Sequence, residues 1–167
     1  MAERILRIAS TLLLRCVVVG MLVGWTGTVS ADSQSPEITT VSSYVDALNR
    51  RDMKRLRELV SPSFVIADPE MKCAASLTPR ECHLRMLQAT AIRNREQRTI
   101  TAVRQELDVI RANITIESAA LKRAGIDRIL ITEEFVVDGD TIRSSRVTLR
   151  TEDPQTKQYQ TSLRNRR

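Results

Sequence analysis

The chain has 167 residues, 42% hydrophobic and 28% charged, which suits one domain with a packed core. Its formal net charge is +6; removing residues 1–31, with Arg4, Arg7, Arg15 and Glu3, leaves +4. That mild balance argues against a nucleic-acid surface, since only Tyr44, Phe64, Phe135 and Tyr159 supply aromatic rings past residue 31.

A metal site is equally unsupported, because His83 is the only histidine and only Cys73 and Cys82 lie past the first 31 residues. A lone histidine near a helix start reads as a solvated side chain.

Residues 1–31 read as an export signal. Arg4 and Arg7 form a basic start, Cys16 to Trp25 is an apolar run, and Val29-Ser30-Ala31 fits a cleavage site. The expected location is a periplasm or the cell exterior, with a retained N-terminal membrane anchor as the alternative. Bulky, charged Arg15 makes Cys16 a poor lipid-attachment site.

Ser35-Pro36-Glu37 opens a first helix, with Ile38, Val41, Tyr44, Val45 and Leu48 on one face. Asp52 caps a second helix that buries Met53, Leu56, Leu59 and Val60, and Ser61-Pro62 ends it. Ser63 to Asp68 alternates as a strand, with Phe64, Ile66 and Asp68 on one side. An acid in phase with apolar residues is a first sign of a pocket.

Thr78-Pro79-Arg80-Glu81 is a capping box with proline at the first helical position. The helix it opens buries Leu84, Leu87 and Ala91 and fades near Asn94. Cys73 in the preceding loop and Cys82 in its first turn are an even pair in an oxidising compartment, so a disulfide is expected.

Residues 97–122 fit either a helical period or two strands turning near Arg111 to Asn113; their Thr, Ile and Val content favours strands. Ile126 to Val137 and Thr141 to Arg150 flank Asp138-Gly139, a hairpin signal. A three-residue loop through Asp140 would put Ile131 opposite Val147, Ile129 opposite Leu149 and Ser145 opposite Glu133. It keeps one face apolar and moves Arg146 off the pocket side. From Thr151 the chain is polar and basic and reads as a frayed, solubilising tail. Helices early and strands late predict an α+β domain, with helices on one face of a curved antiparallel sheet and a cavity between the layers.

Tyr44-Val45-x-Ala47-Leu48-Asn49, followed by Asp52, Leu56, Leu59 and the run from Val65 to Asp68-Pro69, resembles the opening of the nuclear transport factor 2-like superfamily, SnoaL-like branch. Within it the pattern is most similar to bacterial ketosteroid isomerases, and Glu133-Glu134-Phe135 with Asp138-Gly139 extends the match. The similarity covers residues 36–150. It implies a cone-shaped α+β fold, a cystatin-like roll, whose curved sheet wraps three N-terminal helices.

The resemblance further implies a small apolar ligand in a cavity lined by Val41, Phe64, Ile66, Leu84, Leu87, Ile131 and Phe135, no cofactor and no metal, and a homodimer through the open sheet face. The alternative it implies is cofactor-free proton transfer beside a carbonyl. Asp68 would then be the general base, and Tyr44 with a protonated Glu133 the oxyanion hole.

The residues support this from below, because Glu133 shares strand parity with Ile129, Ile131 and Phe135. An unpartnered acid on that face would keep its proton. The plainer readings stand beside it: Tyr44 as a core tyrosine, Asp68 capping the Pro69 turn, and Glu133 paired with Arg143 or Arg146.

Overall fold

A computed structural model describes residues 35–67 and 73–165. The expected export segment, residues 1–31, and Asp68 lie outside the described residues.

Helix α1 (Pro36–Arg50) starts where Ser35 accepts a hydrogen bond from the Ile38 amide, and Arg51 closes it in the left-handed region at φ 60°. Asp52 caps α2 (Met53–Leu59) through the Arg55 amide. Strand β1 (Val60–Ile66) begins earlier than Pro62 suggested; proline, lacking an N–H, is tolerated because β1 is an edge strand. The Thr78–Glu81 capping box opens α3 (Pro79–Leu87), which runs on through a π turn at Gln88–Ile92. Cys73 and Cys82 are disulfide-bonded with Cα atoms 5.8 Å apart, which ties the loop to the first turn of α3.

Residues 97–117 form two strands, β2 (Gln97–Glu106) and β3 (Val109–Glu117), which decides between the two patterns in favour of the sheet. Their turn falls at Leu107-Asp108, not near Arg111 to Asn113. Asn113 instead sits mid-strand, where its side-chain oxygen accepts from the Thr132 hydroxyl, while Leu107 takes φ 55° and is exposed. A short helix α4 (Ala119–Arg123) leads to β4 (Ile129–Asp138) and β5 (Thr141–Leu149).

The five strands lie in the order β1-β5-β4-β3-β2. The last four are antiparallel neighbours; β1 adds to the edge parallel to β5. The fold is thus α+β, with a mixed sheet. Its inner face carries Ile110, Ala112, Ile114 and Ile116 of β3 and Ile129, Ile131, Glu133 and Phe135 of β4. Apart from Glu133, these join Val41, Tyr44, Val45 and Leu48 of α1 in one core cluster.

The β4–β5 register differs from the expected one by two residues. Asp138 pairs with Thr141 around Gly139 (φ 61°) and Asp140, and Arg143 is then an extra, bulged residue. Ile131 therefore faces Leu149, and Val147 rather than Ser145 lies opposite Glu133. Side-chain parity is kept: Arg146 pairs with Glu134, off the inner face.

The C-terminal stretch is a helix, α5 (Pro154–Arg164), where composition suggested a frayed tail. Asp153 caps it, and fully buried Thr156 accepts a hydrogen bond from the Leu130 amide at 2.8 Å, docking the helix on β4.

Candidate functional site

Tyr44 reaches the interior from the middle of α1 and is fully buried. Its Oη shares a 3.1 Å hydrogen bond with Nε2 of His83, and its ring meets Phe135 edge-on at 5.7 Å. His83 is not solvated: it is 4% exposed and stacks on Phe64 at 4.4 Å between ring centroids. The helix carrying it is anchored by the capping box and the disulfide, so the ring is turned inward with Cys82, Leu84 and Leu87. Burial, with the nearby Arg98 charge, pushes the His83 imidazole down to about 4, so it is neutral at pH 7. Burial and Glu133 push the Tyr44 phenol well above its usual value against the pull of Arg98, so it keeps its proton.

Glu133 is 2% exposed, and its partner is neither Arg143 nor Arg146 but Arg98. Asn49 fixes the start of β2: its side-chain amide donates to the Arg98 carbonyl at 2.9 Å and accepts from the Arg98 amide at 2.8 Å. The Arg98 guanidinium then points inward, 3.0 Å from a Glu96 oxygen and 3.4 Å from a Glu133 oxygen. Its Nε is buried without a hydrogen-bond partner among the described residues.

Burial opposes the Arg98 charge, but Glu133, Glu96 and Tyr44 outweigh it and hold the cation above its ordinary value. Burial raises the Glu133 carboxyl, and Arg98 and a hydrogen bond from Ser145 reverse only part of that. One cation between two acids is electroneutral when one acid keeps its proton. Glu133 is the deeper of the two and the more distant from the guanidinium, so burial bears on its carboxyl most strongly.

The lining residues Val41, Phe64, Leu84, Leu87, Ile131 and Phe135 are all buried in the core cluster, with Ile66 half-buried at its margin. They are brought together, but as packed core. On β5 the inner face reaches solvent at Val147, which lies opposite buried Glu133 in the register and is 52% exposed, beside half-buried Leu149.

Solved structures share this fold. Wild-type IdmH from Streptomyces antibioticus, reported as a candidate polyketide cyclase, is 20% identical with a TM-score of 0.57, covering 71% of this chain and 94% of that one. A candidate ketosteroid isomerase from Kribbella flavida gives 15% identity and 0.55, covering 68% and 77%. A nuclear transport factor 2-like protein of unknown function from Cytophaga hutchinsonii gives 12% and 0.53, covering 70% and 91%. This chain has the nuclear transport factor 2-like fold. No protein-family model matches the sequence, and no curated protein matches it.

Within the nuclear transport factor 2-like fold, Tyr44 and Glu133 share one interior, whereas Asp68 lies outside the described residues. Sequence reasoning missed Arg98 and His83. The register could have flagged Arg98, since it pairs with Ile116 and so falls on the same face as Ile100. His83, next to Leu84 in a helix buried on Leu84 and Leu87, gave little sign of its direction.

Proposed function

We propose that this is a small-molecule-binding domain that takes an apolar ligand with a hydrogen-bonding oxygen. The observation that carries the reading is a set of buried polar groups, the Tyr44–His83 hydrogen bond and Glu133 beside Arg98, held inside an otherwise apolar interior. Buried polar groups of this kind fix orientation, while apolar surface supplies affinity. The ligand enters at Val147 and Leu149, where the inner face meets solvent, and displaces side chains to reach Glu133.

The fold is compatible with this use, since solved structures with it include a candidate polyketide cyclase and a candidate ketosteroid isomerase. Native mass spectrometry of the purified protein tests the reading. A retained small molecule, lost on denaturation and absent from Val147→Arg, is expected; a bare chain that also takes up no apolar ketone from an added panel counts against it.

A second reading is isomerase-like proton transfer beside a carbonyl, favoured by the raised Glu133 carboxyl near Tyr44. Glu133 would donate to the enolate oxygen with Tyr44, once the phenol swings from His83, and Asp68 would carry the proton. Under this reading, Asp68→Asn lowers turnover of an enolisable ketone by about 10²–10⁴-fold with folding unchanged. Activity that survives the substitution would remove Asp68 from the role.

Export is part of the proposal, and the Cys73–Cys82 disulfide supports it. So is a homodimer through the open sheet face, which is polar and carries the Arg111–Glu134 ion pair; sedimentation velocity tests it.

A further inference from the structure

Outside the core, between α2 and α3, lies a surface cavity of about 400 Å³. Met53, Lys54, Arg57 and Glu58 of α2 line one wall; Arg80 of α3 and Gln88 of the π turn line the other. Three cations thus face one carboxylate, and Glu58 is already engaged by Arg55 at 2.9 Å. Among the described residues, no ion pair neutralises Lys54, Arg57 or Arg80.

Arg80 is built in rather than loose. It is half-buried, and its Nη2 donates to the Arg57 carbonyl at the end of α2. Its Nε is buried without a hydrogen-bond partner among the described residues. The capping box at Thr78 and the disulfide at Cys82 lie two residues to either side, so the backbone that carries Arg80 is held in place before any ligand arrives.

We propose that this cavity binds a dianionic phosphate group, held by Arg80, Arg57 and Lys54, with Met53 and Gln88 accommodating the start of whatever carries it. The excess of two positive charges in the lining matches a dianion, and planar guanidinium groups suit phosphate oxygens. The site is separate from the interior and does not depend on the function proposed for it.

Calorimetric titration of the disulfide-intact protein with inorganic phosphate tests this. Saturable binding that weakens with added salt is expected, with affinity falling roughly tenfold in Arg80→Gln and in Lys54→Gln. Lys54 has no structural hydrogen bond among the described residues, so Lys54→Gln should leave the melting temperature unchanged. That separates ligand loss from unfolding. Flotation with phosphatidic acid vesicles, against phosphatidylcholine vesicles, tells a lipid headgroup from a soluble phosphate as the source. Absence of binding in both arms, or binding indifferent to both substitutions, overturns the proposal.

Discussion

Two buried side chains give opposite pH signatures. The His83 imidazole sits at about 4 against an ordinary 6.5, so the unfolded chain binds its proton first. That stabilisation is present above pH 6.5 and is lost as pH falls through 6.5 towards 4, in total about 3 kcal/mol. His83→Phe should flatten this acid limb in urea melts collected across pH 4–7, although it also leaves Tyr44 Oη without its partner.

Glu133 works the other way. Its raised carboxyl gives stability below the ordinary glutamate value that is lost as pH rises through the folded-state value. Glu133→Gln removes that fall, and the same melts read it. Arg98→Met should cost about 3–5 kcal/mol, because it strips the cation from two nearby acids. Adding Glu133→Leu to Arg98→Met should restore much of the loss. A double variant no more stable than Arg98→Met alone would mean the buried ion pair is not what the substitution broke.

At the scale of elements, local rules read the helix starts well. The Ser35, Asp52 and Thr78 caps are all formed, because a cap needs only a side chain and an amide three residues on. The disulfide was legible for the same reason, its partners being close in sequence. Strand pairing was less so. The β5 bulge at Arg143 and the left-handed Leu107 turn are set by the sheet as a whole, and neither leaves a Gly or Pro at its own position.

The C-terminal helix was missed because its apolar stripe is thin. What docks it is Thr156, a polar residue that becomes valuable only when the Leu130 amide is opposite. Thr156→Val should therefore destabilise by about 1–3 kcal/mol in denaturant melts, a size no frayed tail would give. Removing the disulfide with Cys73→Ser and Cys82→Ser should cost about 2–3 kcal/mol by the same measurement.

For the molecule as a whole, the pattern from Tyr44 to Pro69, extended by Glu133-Glu134-Phe135 and Asp138-Gly139, indicated the fold, because its first part runs through α1, α2 and the edge strand β1. The site was only half legible. Tyr44 and Glu133 lie on apolar faces that periodicity reveals, while Arg98 and His83 depend on how α3 and β2 meet α1. Their presence turns an expected open cavity into a packed interior, and on β5 its inner face reaches solvent at Val147.

The most direct measurement is a methyl-labelled NMR titration with a small apolar ketone. Binding through this face should shift Val147, Leu149 and Ile131 first and leave the methyl groups of Leu107 and Val65 unmoved. Unshifted Ile131 and Val147 at saturating ketone, or shifts confined to exposed methyl groups elsewhere, would contradict an interior that takes a ligand.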